Sequence, residues 1–211
     1  MTMRRRIPFG MDRLPRALSP DDPRLPGVTV GDAPLRWNTE PLPADAMAQA
    51  TGDHAARVAA MRTFLHALCG DYAPLRIRFV DAYLDALAAQ IDAHRSELAR
   101  GLQRFDGLYA PEDWLWSALR PLPRAWLRCD GGMVRADFAF WDGTQAIAID
   151  LTDGMQVTGI AVCHMPSDVL TGDPLALLAL LPAGCQSFWQ AQILPVSPFR
   201  RPIPGGVVNE M

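Results

Sequence analysis

The chain has 211 residues, 49% of them apolar, and a net charge of -3 at pH 7, so it is long and apolar enough to fill a folded core. The acidic balance argues against a general nucleic-acid coat, which needs a basic surface, and leaves room for a local basic patch. All 20 basic residues are arginine, which excludes chemistry that requires lysine, such as Schiff bases and P-loops.

Cysteine spacing and hydropathy indicate the compartment. The four cysteines form no CxxC pair, so no zinc knuckle or redox motif is present and a reduced, intracellular setting is favoured. The start MTMRRRIPFGMDRL has arginines but no apolar segment after them. No later run reaches the roughly 18 apolar residues of a membrane span. These patterns predict a cytoplasmic protein without a membrane anchor.

Composition divides the chain into an arm, a domain and a tail. Residues 1–43 are rich in Pro and Arg and show no sustained period, which predicts an extended arm with little structure of its own. Residues 44–194 read as a single α+β domain, and residues 195–211 as a Pro/Arg tail. The basic segments RRRIPFG and PFRRPIPGG are either solubilising or grip nucleic acid or a protein partner.

A helical hairpin is predicted over residues 53–102. Asp53 suits a helix cap, and Gly70 suits the end of that helix. From Pro74 to about Gly101, apolar residues recur every three or four positions, the strongest periodic signal in the chain. His94 lies in this apolar stripe, where a histidine is more often a hydrogen-bonded core residue than a ligand or base.

A sheet core is predicted over residues 111–194. It begins with a short helix from Pro111 to Leu119 and then changes to the two-residue period of strands. The fold class is therefore α+β, a helical hairpin followed by a mixed sheet with an antiparallel meander and a covering helix. Strands are predicted near residues 125–129, 134–141, 144–152, 157–163 and 186–194, with a fully buried helix over 174–181.

The stretch MVRADFAFWDGTQAIAIDLTDG, residues 133–154, predicts a β-hairpin. Asp142-Gly143 suits a type I′ turn, because both central positions of that turn need positive φ. With Trp141 facing Thr144, alternation places an almost wholly apolar set on the core face. The residues of that face are Val134, Ala136, Phe138, Phe140, Gln145, Ile147, Ile149 and Leu151.

The opposite face of the hairpin carries two acids. In this register Asp137 faces Ala148 and Arg135 faces Asp150, so the two carboxylates are diagonal neighbours that could converge on one cation. The alternative is a cross-strand ion pair between Arg135 and Asp150, with Asp137 solvated. The small residues that would leave room above this face are Ala139, Ala146 and Ala148.

At these residues the chain resembles the restriction-endonuclease-like superfamily, the PD-(D/E)xK nucleases, over about residues 111–194. The resemblance implies a helix, a strand meander, a second helix and a further strand. VRADFAFWDG would supply the first acid as Asp137, and AIDLT the second as Asp150. Glu112 or Asp113 would be the third carboxylate. The metal that such carboxylates hold in this family is Mg²⁺.

The chain departs from the family pattern at two positions. Ala136 stands where the family has proline, and Thr152 stands where it has the motif lysine. Thr152 can donate one neutral hydrogen bond but carries no charge. Arg135 could supply positive charge, yet its high pKa makes it a poor proton acceptor.

Two functions follow from this pattern. The first is a degenerate nuclease-like protein that acts on or binds nucleic acid, a Mg²⁺-dependent phosphodiesterase if it is active. Its catalytic set would be Arg135, Asp137, Asp150 and Thr152, and its metal ligands Asp137, Asp150, Glu112 and Asp113. The alternative is a non-catalytic accessory or partner-binding scaffold in an intracellular complex.

Overall fold

The computed structural model describes residues 29–30, 33–34, 53–70, 73–105, 107–129, 132–141, 146–152, 154–181, 183–186, 189–190 and 194–195. Over these ranges the chain has an α+β fold. Two short strands come first, helices follow, then a set of mainly antiparallel strands, and two further helices come last. Among the helices described, none has the length and apolar character needed to cross a bilayer.

The predicted helical hairpin is confirmed, with one correction. Helix α1 spans His54–Cys69. The Asp53 side chain accepts a 2.8 Å hydrogen bond from the Ala56 N–H at its start, and Gly70 ends it with φ 79°, a conformation that glycine adopts without steric cost. Helix α2 spans Pro74–Ala93. It stops at His94, and a separate helix α3 spans Arg95–Leu102, so the single helix predicted to Gly101 is wrong.

His94 is also less buried than predicted. Its side chain is 43% exposed, and Nδ1 lies 3.3 Å from a carboxylate oxygen of Glu97. The ring lies 4.9 Å from the ring of Trp189, measured between centroids. Its place at the end of α2, where the helical period is broken, explains why the apolar stripe overstated its burial.

The described strands form two sheets of four. The strands are β1 Thr29–Val30, β2 Ala33–Pro34, β3 Leu122–Pro123, β4 Ala125–Cys129, β5 Gly132–Arg135, β6 Phe138–Trp141, β7 Ala146–Asp150 and β8 Ala161–His164. In the first sheet the order is β2-β1-β4-β5, and in the second it is β3-β6-β7-β8. All pairings are antiparallel except that of β7 with β8, which is parallel. Residues 1–43 were predicted to be an extended arm with little structure of its own; at four of them the chain forms β1 and β2, and β1 pairs with β4.

The single strand predicted from Val134 to Trp141 is wrong. The chain leaves the first sheet after Arg135 and enters the second at Phe138. The Ala136 N–H donates to the Ala125 carbonyl, and the Arg124 N–H donates to the Asp137 carbonyl, both at 2.8 Å. These two bonds secure the crossing between sheets, so residues on either side of Ala136 do not share one face.

The predicted hairpin register is wrong by two residues. Phe138 pairs with Ile149 and Ala139 with Ala148, whereas Ala148 was predicted opposite Asp137. Because side chains alternate with a period of two, a shift of two residues keeps the side chains of β6 and β7 on their predicted faces. Val134 and Ala136, predicted on the core face, instead pack with Ala139 and Ala148 of the opposite face, because the chain changes sheets between them and Phe138. The predicted Asp142-Gly143 turn lies outside the described residues.

The predicted core face is confirmed in the second sheet. Phe138, Phe140 and Ile149 are fully buried, and the ring centroids of Phe138 and Phe79 of α2 are 4.5 Å apart. Tyr83 of α2 packs against Phe140 at 5.4 Å. The sheet therefore buries this face beneath the long amphipathic helix, as the two periodicities predicted.

The opposite face does not have the predicted open space. Ala139 and Ala148 are 1% and 0% exposed, and they belong to a second apolar cluster with Ala125, Leu127 and Ala136. Residues of the first sheet thus cover the alanines of the second. Small side chains permit this close approach between sheets, which the hairpin considered alone could not reveal.

The remaining elements differ from prediction in their details. Residues Pro111–Ser117 form a 3-10 helix. Helix α4, Pro174–Leu180, is not buried all round, because Leu175 and Leu180 are 44% and 46% exposed. A short helix α5, Ala183–Gln186, ends at the first residue of the segment predicted as a last strand. The described residues of that segment, 186, 189–190 and 194, contain no strand.

The strand predicted over 157–163 begins at residue 161. Further 3-10 turns span Gln103–Phe105 and Val169–Thr171.

Candidate functional site at Asp137 and Asp150

The four predicted catalytic residues line one cleft of about 580 Å³, which we call the charged cleft. The pairing of Phe138 with Ile149 explains the convergence, because Asp137 precedes Phe138 and Asp150 follows Ile149. The acids therefore lie at the same end of the β6–β7 pair. Residues that line the charged cleft include Arg76, Arg135, Asp137, Asp150 and Thr152.

Asp150 is a buried carboxylate that accepts several hydrogen bonds from its own chain. It is 3% exposed. Its Oδ1 accepts bonds from the Thr152 N–H at 3.0 Å and the Thr152 hydroxyl at 2.9 Å. Its Oδ2 accepts a bond from the Met155 N–H at 2.6 Å. Asp150 thus closes the loop that follows β7, as aspartates often do through local bonds to the backbone.

These contacts determine the charge state of Asp150. Burial acts to raise the pKa of this carboxyl, but the hydrogen bonds from Met155 and Thr152 outweigh burial and lower the pKa. His164 Nδ1 lies 3.4 Å from Asp150 Oδ2, and its charge also lowers the Asp150 pKa. Hydrogen bonds to a carboxylate favour its charged form, so Asp150 is ionised at neutral pH.

Asp137 connects a helix to the end of the sheet. Its Oδ2 accepts a 3.1 Å hydrogen bond from the Leu151 N–H, and its Oδ1 lies 3.3 Å from Arg76 Nη1. The Asp137 side chain is 19% exposed. Arg76 Nε is buried and has no hydrogen-bond partner among the residues that the structure describes. The Arg76 guanidinium is therefore paired with Asp137 at the cleft through Nη1.

The predicted third carboxylate is engaged elsewhere. Glu112 Oε1 lies 2.6 Å from Arg95 Nη1. Burial acts to raise the Glu112 pKa, but the hydrogen bond and charge of Arg95, together with a backbone hydrogen bond, outweigh burial and lower the pKa. Asp113 is 2% exposed, and its Oδ2 accepts a 2.7 Å bond from the Ala110 N–H. Neither residue is among those that line the charged cleft. Glu112 and Asp113 serve the start of the 3-10 helix and its contact with α3.

The donor set at Asp137 and Asp150 fits Mg²⁺ poorly. Mg²⁺ requires oxygen ligands at about 2.0–2.1 Å in near-octahedral geometry. Both Asp150 oxygens already accept bonds from the loop, and a direct metal bond would compete with them. Within the described ranges, no group of three or more His, Cys, Asp or Glu side chains is arranged to hold a metal ion.

The structure gives the partners of Arg135 and Thr152. Arg135 pairs with Trp126 of β4 in the first sheet, so the predicted cross-strand position opposite Asp150 is wrong. Thr152 bonds its hydroxyl to Asp150, a contact that the sequence Asp-x-Thr could have indicated. Arg76 had no sequence signal, because an arginine in a first helical turn is ordinary helix surface.

A second cleft, which we call the apolar cleft, adjoins the charged one. It has a volume of about 640 Å³. The two clefts share Val134, Met155, Gln156 and Val157. The other residues that line the apolar cleft are Thr158, Ile160, Val162 and His164.

Comparison of the chain with protein-family models, curated proteins and solved structures found no match. The nuclease-like resemblance therefore stays a prediction from short motifs. Function is inferred from the geometry of the two clefts and of the carboxylates between them.

Proposed function

We propose that the protein is a non-catalytic, partner-binding scaffold. One observation carries this proposal, the engagement of both Asp150 oxygens by Thr152 and Met155. A carboxylate used in this way stabilises a loop and is not open to a metal or to a water nucleophile. The loop it stabilises carries Met155 and Val157, which line both clefts.

The other parts of the cleft agree with a binding role. Thr152 replaces the charged motif residue with a neutral hydroxyl that bonds to Asp150. Arg76 and Arg135 are the cationic groups among the residues that line the charged cleft. Arginine guanidinium groups recognise carboxylates and phosphates well but do not act as bases near neutral pH. Such a site can hold an anionic partner group without transforming it.

The test is purification of the full chain at native abundance, followed by native mass spectrometry. We expect one stoichiometric protein partner, and deletion of residues 195–211 distinguishes a tail-mediated contact from a cleft-mediated one. A monomer that cleaves DNA or RNA in the presence of Mg²⁺, and that loses cleavage in a folded Asp150→Asn variant, would overturn the proposal.

A Mg²⁺-dependent nuclease is the second candidate. It is favoured by the convergence of Asp137 and Asp150 on one cleft. Divalent-metal titration, followed by calorimetry and by cleavage of linear and nicked DNA, tests it. Metal binding that disappears in Asp137→Ala and persists in the exposed control Asp168→Ala would support this candidate. Unchanged DNA and no metal-dependent heat would refute it.

A further inference from the structure

Strand β8 differs from the other outer strands. In the two sheets that the structure describes, the outer strands are β2, β5, β3 and β8. An outer strand presents backbone groups to which another strand can add, and a proline or a charged side chain commonly prevents this. Strand β2 contains Pro34, β3 contains Pro123 and β5 contains Arg135. Strand β8, with the sequence AVCH, contains no proline, arginine or acidic residue, so it is the outer strand best suited to pairing.

Val162 presents its backbone to the outer edge of β8. The Met165 N–H donates a 2.9 Å hydrogen bond to the Asp150 carbonyl, which places this N–H toward β7. Backbone groups alternate in direction along a strand, so those of Cys163 also point toward β7 and those of Val162 point away from it. Ala161, at the start of the strand, is exposed. The outer edge of β8 is therefore accessible to another strand.

Both flanks of β8 are apolar. On one face, Cys163 Sγ donates a 3.0 Å hydrogen bond to the Leu180 carbonyl, so the end of α4 lies beside the strand. Leu175 and Leu180, both of α4, are the exposed large apolar side chains among the described residues. On the other face, Ile160 and Val162 line the apolar cleft. The edge of β8 thus lies between two apolar surfaces.

The charge of this surface favours a second copy of the chain as its partner. Residues 154–166, which include β8, and residues 174–181, which include α4, contain no arginine and no acidic residue. The whole chain has a net charge of -3. A two-fold interface brings identical surfaces together, so a charge near the axis would face its own copy. Because β8 and its flanks lack such charges, two copies can meet here without repulsion between like charges.

We propose that β8 is the interface of a homodimer, in which it pairs antiparallel with β8 of a second copy. Val162 lies opposite Val162 of the second copy, and the two residues exchange both of their N–H···O=C bonds. Ile160 then faces His164 of the second copy on the cleft side, and Ala161 faces Cys163 on the α4 side. This dimer goes beyond the proposed partner-binding function and does not depend on it.

The flanks supply contact area that the strand alone lacks. A stable interface buries about 800 Å² on each partner, more than a four-residue edge provides. A two-fold axis perpendicular to the sheet keeps the same face of both copies on one side. The two α4 helices therefore approach each other above the joined strands, and the two apolar clefts meet below them. Leu180, 46% exposed in one copy, becomes covered near the axis.

The first experiment is sedimentation equilibrium of the full purified chain from low to high micromolar concentration. We expect a reversible equilibrium between monomer and dimer. Leu180→Asp should weaken dimerisation at least about tenfold, because it places two like charges near the axis. The control is Ala99→Asp, at an exposed position of α3. It adds the same charge elsewhere and should leave the dissociation constant unchanged.

Val162→Pro tests the strand pairing itself. Proline removes an N–H that points away from β7, so it should weaken dimerisation at least about tenfold while the β7–β8 pairing keeps its donors. Val162→Thr keeps the N–H and should dimerise as the wild type does. Circular dichroism at low concentration shows whether the proline variant is folded. If that variant unfolds, Leu180→Asp and amide exchange decide the question.

Amide hydrogen exchange locates the interface. Raising the protein concentration should slow exchange at Ala161–His164 and leave Gly132–Arg135, an outer strand with an arginine, unchanged. A chain that stays monomeric throughout, a dimer protected at Gly132–Arg135 instead, or equal dimerisation of the Leu180→Asp and Ala99→Asp variants would overturn the inference. Protection of β8 that is independent of concentration would show that the chain covers its own edge, and would overturn it too.

Failure of the dimer and failure of the proposed function are distinguishable. A monomer leaves the partner-binding function standing if native mass spectrometry finds a partner of a different sequence. Metal-dependent cleavage of nucleic acid would overturn that function and leave the dimer standing.

Discussion

The Met155 N–H donates a 2.6 Å hydrogen bond to the carboxylate of Asp150. This bond joins the end of β7 to the extended segment that lines both clefts. The acid that a nuclease would use for metal binding thus positions one side of a groove. The same hydrogen bond makes the stability of the loop depend on the charge of the Asp150 side chain.

Asp150→Asn should lower the free energy of unfolding by about 2 kcal/mol. The amide removes the charge and directs an NH₂ group at one of the N–H donors, which leaves a buried donor without an acceptor. Urea unfolding of both proteins measures the difference. Asp168→Asn is the control, because Asp168 is exposed and its side chain makes no cap bond. A loss no larger than that of the control would show that the loop does not depend on Asp150.

Asp150 should also make stability depend on pH. Its pKa is lowered in the folded chain, so its contribution is complete above the unfolded value of about 3.9. That contribution is lost as pH falls toward the folded value. The difference in unfolding free energy between wild type and Asp150→Asn should therefore shrink below about pH 4. Urea titrations at a series of pH values measure it, and a difference that stays constant on acidification would contradict the role of the charge.

The Arg124→Ala variant should be less stable than the Arg124→Gly variant. It has φ 56°, a left-handed conformation that costs a residue with a Cβ about 1 kcal/mol relative to glycine. Arg124→Gly should thus be more stable than Arg124→Ala by about 1 kcal/mol in urea unfolding. Both variants lack the guanidinium, so comparing them separates the effect of backbone strain from the effect of losing the Arg124 side chain. Equal stabilities would indicate that the turn relaxes.

The two faces of α4 should differ in their tolerance to truncation. Leu177 is 0% exposed and Leu175 is 44% exposed. Leu177→Ala should cost about 3 kcal/mol, since it leaves a cavity in the core. Leu175→Ala should change the free energy of unfolding by less than about 0.5 kcal/mol. Thermal and urea unfolding of the pair measure this, and similar losses would mean that Leu175 is covered in solution.

Local chemistry explains which expectations were confirmed. The cap at Asp53 and the stop at Gly70 depend on residues within one helical turn, so adjacent sequence determines them. The apolar face of Phe138, Phe140 and Ile149 follows from alternation, which survives a register shift of two. The wrong expectation of buried leucines all round α4 arose because an apolar run has no polar residue to mark its exposed face.

The sequence by itself determined the α+β class, the helical hairpin and the side of the hairpin on which the two acids lie, because each depends on the period of neighbouring residues. Only the tertiary structure decided what those acids do. Asp137 and Asp150 acquire their partners from α2, from the residue after Asp150 and from the loop that ends at Met155, and the alanines beside them are covered by another sheet. A buried carboxylate takes whichever donors the folded chain brings to it, and no periodicity in the sequence specifies those donors.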